Sequence, residues 1–193
     1  KSGSGKSTLI DLTLGLIKPS DGKILIDEKN LELVVNSSTK QIGYVPQEIY
    51  FTDDSILNNI AFGIKQTKIN REKINNVLQQ VELKAFVEDL PEGINTRIGE
   101  RGINLSSGQR QRIGIARALY NDPQILIFDE ATSALDEKTE NNIMNCIYNM
   151  KDNKTIIIAS HRLSTLKNCN LFIEVNNNKI IQHYKYPKSI LLE

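Results

Sequence analysis

The chain has 193 residues, 39% hydrophobic and 24% charged, with a formal net charge of +1, enough for one domain with room for an inserted subdomain. A balance this close to neutral leaves no basic footprint for nucleic acid. Its two cysteines, Cys146 and Cys169, are too few for a disulfide framework and lack metal-site spacing, and no apolar run approaches the roughly 18–20 residues that span a bilayer.

The first ten residues read KSGSGKSTLI. Gly5, Lys6 and Ser7 supply the second half of the phosphate-loop pattern G-x-x-x-x-G-K-[ST]. The first glycine of that pattern falls one position before Lys1, so the sequence is expected to be a fragment cut inside the motif. Gly3 and Gly5 let backbone N–H groups turn inward as a nest for phosphate oxygens. Lys6 adds a point charge for the β- and γ-phosphates, and the Ser7 hydroxyl suits Mg²⁺. From Thr8 to Leu14 the apolar residues recur at helical spacing, which puts the phosphates at a helix N-terminus. Gly15 and Pro19 end that helix.

Further along, GKILIDE at 22–28 and IGYVP at 42–46 read as strands, and Gln47 follows the second. QILIFDE at 124–130 and KTIIIASH at 154–161 are continuous apolar runs, as expected of strands buried on both faces. LFIEV at 171–175 and KIIQ at 179–182 flank Asn176 to Asn178 and predict a hairpin. Strands alternating with helices argue for a mostly parallel sheet. From about 55 to 90 the pattern is helical instead, with Ile74, Val77, Leu78 and Val81 on one face. The fold class is therefore α/β, with a helical insertion in a parallel-sheet core.

Four features sit where an element ends. In INLSSGQRQRIGIARAL, Ser106 is placed to cap a helix whose face is Ile113, Ile115, Ala116 and Leu119, leaving the positive helix end for an anion. ILIFDE delivers Asp129 and Glu130 to the C-terminal edge of a sheet, where open α/β sheets bind ligands. Strand alternation points the two carboxylates apart, so one suits a Mg²⁺ shell and the other polarises an attacking water. His161 and Gln47 end two further strands, His161 within reach of a γ-phosphate. Each has a bland explanation alone; together, in this order, chance is a poor account.

In that order the motifs resemble those of the ATP-binding cassette (ABC) ATPases, over essentially the whole chain. GSGKST, with Ser2, Gly3, Ser4, Gly5, Lys6, Ser7 and Thr8, is similar to the Walker A loop, and Gln47 to the Q-loop glutamine. LSSGQ, with Ser106, Gly108 and Gln109, resembles the signature loop, ILIFDE the Walker B strand, Ala134-Leu135-Asp136 the D-loop, and His161 the switch histidine. Thr96 to Gly102, TRIGERG, looks like the segment with which exporter-type cassettes contact their membrane domain.

The resemblance implies a RecA-like P-loop NTPase core over 1–47 and 119–193, with a helical and signature subdomain over about 48–118. It implies ATP and Mg²⁺ as ligands, with Ser7, Gln47 and Asp129 on the metal, and Glu130, His161 and Gln47 as catalytic groups. The partners implied are a second cassette, identical or different, in a head-to-tail dimer, and a transmembrane domain expected upstream of Lys1. No nucleic acid is expected, and the domain would work at the cytoplasmic face of a membrane. Two phrases, LIDLTLGLIKPSDGKILID and ALYNDPQILIFDEATSALD, resemble the cassettes of lipid-linked oligosaccharide flippases and lipid or polysaccharide exporters.

Importer cassettes and non-transport cassettes remain alternatives. TRIGERG weighs against the first. The compact stretch from Lys6 to Ser106, without a cysteine cluster, weighs against the second. Ser107 departs from the family, which has glycine there; its Cβ is expected to restrict φ > 0 and to alter closure.

Overall fold

A computed structural model describes residues 5–32, 41–133, 135–150, 154–176 and 179–183. Ser2, Gly3, Ser4, Ala134, Asn177 and Asn178 lie outside the described residues.

Helix α1 spans Lys6–Thr13 and stops as its sequence dictates. Gly15, at φ 72°, turns the chain left-handed. The N–H of Leu16 then bonds the Asp11 carbonyl at 2.9 Å, and that of Gly15 bonds Leu12 at 3.1 Å. This is the Schellman arrangement for satisfying terminal carbonyls.

The strand expected at 22–28 is much shorter. Strand β1 is Leu25–Ile26 and pairs antiparallel with β2, Lys29–Asn30. Asp27 and Glu28 adopt φ 47° and 65°, the mirror-image geometry that folds a two-residue hairpin. The segment therefore doubles back before it can extend.

The parallel sheet is β3 (Ile42–Val45), β4 (Ile125–Asp129) and β5 (Thr155–Ala159), in that order. Val45, Phe128 and Ile158 are in register, so the three strands end at one edge, leading to Gln47, Glu130 and His161. Strand β4 is sealed through Leu126, Ile127 and Phe128. Strand β5 differs from expectation: Thr155 and Ile157 are exposed and the rest only half-buried. Among the described residues it pairs with β4 alone, so an apolar run here does not mean burial on both faces. The hairpin of β6 (Phe172–Asn176) and β7 (Lys179–His183) forms as expected, Ile173 opposite Gln182.

Between β3 and β4 lie α2 (Ile56–Ile60), α3 (Arg71–Gln80), α4 (Lys84–Glu88) and α5 (Ser107–Leu119). Helix α6 (Glu137–Tyr148) links β4 to β5. Side chains cap the starts: Ser55 accepts from the Asn58 N–H at 3.2 Å, Asn70 from Lys73 at 3.1 Å and Asp136 from Thr139 at 3.0 Å.

One apolar cluster joins the layers. It holds Val45, Leu126 and Phe128 of the sheet, Ile56, Ile60, Ile74 and Leu78 of the helices, and Ile143 and Ile147 of α6. Helix α5 is the shared member, with Ile113, Ile115, Ala116 and Leu119 all buried. Gly43 permits its close approach to β3, since a Cβ there would meet the Ala118 carbonyl oxygen at 2.8 Å.

Polar groups lock the same helix. The Arg117 guanidinium donates to the Asn59 carbonyl at 2.7 Å, the Tyr50 carbonyl at 2.8 Å and the Asn59 side chain at 3.3 Å. It also lies 5.2 Å from the Phe51 ring centre and 5.1 Å from that of Phe62. Burial pushes its pKa down from the ordinary value. Among the described residues no helix is long and apolar enough to cross a membrane.

Candidate functional site

The sheet edge gathers three charged or titratable groups that are far apart in sequence. Glu130 accepts from His161 Nε2 at 2.7 Å, and Lys6 Nζ lies 3.5 Å from the same Glu130 oxygen. Lys6 Nζ also lies 2.9 Å from His161 Nε2 and 3.2 Å from Nδ1. Where Nε2–H donates to Glu130, Nδ1 is the ring nitrogen left to accept from Lys6. The ammonium is thus partnered by groups that a phosphate oxygen can replace.

Gly5 sets Lys6 in place. It sits at φ 95° and ψ 5° ahead of α1, and among the described residues no side chain caps the helix. The first N–H groups of α1 and its positive dipole end remain for an anion. Ser7 and Thr8 are exposed at this end.

The two carboxylates separate by a backbone break, not by strand alternation. Strand β4 stops at Asp129, and Glu130 enters the left-handed region at φ 48°. Its N–H bonds the Ala159 carbonyl at 2.9 Å, and its own carbonyl accepts from Ser133 at 3.0 Å. A non-glycine residue held there costs on the order of 1–3 kcal/mol, and such positions cluster at functional sites.

Asp129 receives the Tyr44 hydroxyl at 3.4 Å. Burial, before any neighbour, raises the Asp129 carboxyl above the usual carboxylate range, with the charge of Glu130 adding to it. Burial and then the Asp129 charge likewise push the Tyr44 phenol up. Sequence reading assigned Tyr44 no role. Strand register could have found it, because Tyr44 pairs with Ile127 and Asp129 lies two residues on, on the same face.

Gln47 lies apart from this cluster, on a cleft of about 280 Å³ shared with Glu48, Arg101, Ser107, Arg110 and Gln111. The Gln111 amide nitrogen there is buried without a partner among the described residues. The structure thus brings Lys6, Glu130 and His161 together and leaves Gln47 on the neighbouring wall.

Ser106 and Gln109 form a complete capping box. The Ser106 N–H donates to the Gln109 side chain at 2.8 Å, and the Gln109 N–H to the Ser106 hydroxyl at 3.2 Å. Ser107 is the first residue of α5 and is not among the residues of positive φ, so its Cβ meets no left-handed backbone here. Gly108 allows close packing against α6, since a Cβ there would lie 2.8 Å from the Thr139 methyl. Among the described residues no hydrogen bond or ion pair links Ser106, Gly108 or Gln109 to Lys6, Glu130 or His161.

The donor set fits nucleotide and a hard cation. The uncapped helix start and Lys6 suit phosphate, and the oxygens of Ser7 and Asp129 suit Mg²⁺, which keeps much of its shell from water and phosphate.

Residues 1–133 match the family model described as "ABC transporter". The whole chain is 40% identical over 193 residues to an "ATP-dependent lipid A-core flippase" of Desulfotalea psychrophila, covering 33% of that protein. Over 189 residues, 97% of the chain, it is 44% identical to "Leukotoxin export ATP-binding protein LtxB" of Aggregatibacter actinomycetemcomitans, covering 26% of it. The chain therefore spans a third or less of the length of these relatives. Among solved structures it resembles "Structure of a bacterial Atm1-family ABC exporter with ATP bound", with a TM-score of 0.85 and 35% identity over 96% of this chain and 33% of that one.

Proposed function

The chain belongs to the ABC transporter family, and from that membership we propose that it is the ATP-hydrolysing cassette of a membrane exporter or flippase. The observation that carries the reading is the convergence of Lys6, Glu130 and His161 at the uncapped start of α1.

Lys6 and the first N–H groups of α1, with the preceding Ser2, Gly3 and Ser4 and with Thr8, would hold the phosphates. Ser7 and Asp129 would hold Mg²⁺, with Gln47 completing its shell as the cleft closes. Held there by Ser7 and Asp129, Mg²⁺ would supply positive charge to offset that developing on the phosphates. Glu130 would take a proton from the attacking water, and His161 would orient that water and touch the γ-phosphate. In the structure Lys6 is paired with the Glu130 carboxylate and lies against the His161 ring, partners that a phosphate oxygen would displace. Binding exchanges those partners without rebuilding the scaffold.

Ser106, Gly108 and Gln109 stand at an exposed helix start away from Lys6, which supports a site completed by a second cassette in a head-to-tail dimer. Residues 1–47 and 119–193 would act as the core and about 48–118 as the helical subdomain. A surface cleft of about 370 Å³ is lined by Thr52, Asp53, Asp54, Asn58 and Phe62, residues that follow Gln47 in the sequence. With Tyr50 and Phe62 exposed beside it, it suits a transmembrane domain docked from a membrane's cytoplasmic face.

The test is Lys6→Ala in the intact protein, with affinity read from a fluorescent ATP analogue. Most nucleotide affinity should be lost; unchanged affinity would refute the phosphate assignment.

A further inference from the structure

Glu130 and His161 follow the ends of different strands, and the His161 side chain is about half exposed, so packing alone does not fix their separation. The residue after His161 offers a mechanical link. Arg162 donates through Nη1 to the Leu135 carbonyl at 3.1 Å and through Nη2 to the Ser133 carbonyl at 2.9 Å. Nη1 also pairs with the Glu140 carboxylate at 2.6 Å. Glu140 is 4% exposed, and its other oxygen accepts from the Thr132 hydroxyl at 3.0 Å. A buried carboxylate so bound is an anchor, because both its oxygens are engaged and only one geometry satisfies them.

The Arg162 backbone is held as firmly. Its N–H bonds the Ser160 hydroxyl at 2.9 Å, and its carbonyl accepts from the Thr165 hydroxyl at 2.6 Å. Thr165 is itself buried. On the other side of the link, Ser133 donates back to the Glu130 carbonyl and Leu135 to that of Thr132. The guanidinium therefore fastens the turn carrying Glu130 to the turn carrying His161.

We propose that Arg162 is a positioning residue for ATP hydrolysis, keeping Glu130 and His161 in register through the Ser133 and Leu135 carbonyls while buried Glu140 holds its fork in place. This rests on the ATPase reading above. A planar fork is essential to the link, since it spans two carbonyls and a carboxylate, whereas a lysine ammonium keeps the charge without that reach. Small displacements of reacting groups cost up to about 100-fold in rate.

The experiment compares Arg162→Lys with Glu140→Gln, which preserves volume and leaves the carbonyl bonds available. ATP turnover, ATP-analogue affinity and amide hydrogen exchange of residues 133–136, the last without nucleotide, are measured on folded protein. Arg162→Lys should lower kcat about 10- to 100-fold, leave affinity within about twofold and speed exchange of that turn; Glu140→Gln should do the same more weakly. Parental kcat and exchange in Arg162→Lys would overturn the proposal. Loss of affinity in step with kcat would also overturn it, marking a general structural role. A parent protein that does not bind or hydrolyse ATP would overturn the ATPase reading instead, with hydrogen exchange still reporting whether Arg162 fastens the turn.

Discussion

Two cations show how differently this molecule treats its scaffold and its site. Arg117 is met by the carbonyls of Asn59 and Tyr50, by the buried Phe51 ring and by the Phe62 ring. Lys6 sits at an accessible edge between Glu130 and His161, partners that a phosphate can displace. The enclosed cation ties α5 to the chain beyond β3; the edge cation is held loosely enough to exchange partners. The scaffold cation is met by neutral carbonyls and rings, and the site cation by a carboxylate and an imidazole at a partly open edge. Glu130, at φ 48°, carries the backbone strain on the working side.

The contrast is tested most severely at Glu130. Glu130→Gln keeps shape and hydrogen bonding but removes basicity, so ATP turnover should fall about 10²–10⁴-fold, a barrier of roughly 3–5 kcal/mol. ATP affinity should stay near the parent value. Folding stability should change by about 1 kcal/mol at most, as ion pairs at an open edge contribute little. Denaturant unfolding alongside steady-state turnover checks this; a variant that unfolds readily would erase the distinction between site and scaffold.

Arg117→Lys should show the reverse. It abandons the fork and the stacked rings, and hydrogen bonds from a charged donor are each worth about 1.5–3 kcal/mol. A loss of roughly 2 kcal/mol in unfolding free energy is expected, with ATP affinity per folded molecule retained. Full stability in urea unfolding would show that the enclosed cation is dispensable.

The smallest effect concerns pH. Burial raises the native Asp129 carboxyl above its unfolded value. Between those values the folded protein keeps a proton that the unfolded chain has released, so stability falls as pH rises through that window. Asp129→Asn should flatten this slope while weakening the Mg²⁺ dependence of nucleotide binding. Urea midpoints measured without metal or nucleotide at about pH 4, near the ordinary carboxylate pKa, and at pH 7 decide it. Equal slopes in parent and variant would contradict it.

Much of the architecture was legible because it depends on local pattern. The apolar runs at 42–45 and 125–129 became strands, and the face through Ile74, Val77 and Leu78 became the buried side of α3. Ser106 and Gln109 carry their capping box in their spacing. Where the pattern misled, pairing or backbone geometry overrode it. The run at 22–28 has strand-like composition, but Asp27 and Glu28 turn left-handed and close a hairpin. The isoleucines of β5 read as a sealed strand, yet Ile157 is exposed. Ser107, whose Cβ restricts φ > 0, is the first residue of a right-handed helix, where no positive φ is needed.

By itself, the sequence determined which residue types stand at which element ends: a lysine after a glycine turn, a carboxylate pair closing an apolar strand, a histidine closing the next. These depend on contacts within a few residues, where propensity and periodicity suffice. Tertiary structure alone decided that Glu130 leaves its strand by a left-handed step, that Tyr44 reaches Asp129, and that Arg162 meets the carbonyls of Ser133 and Leu135 through buried Glu140. Each of those depends on register and packing between segments distant in the chain, and nothing in the spacing of one segment encodes the position of another.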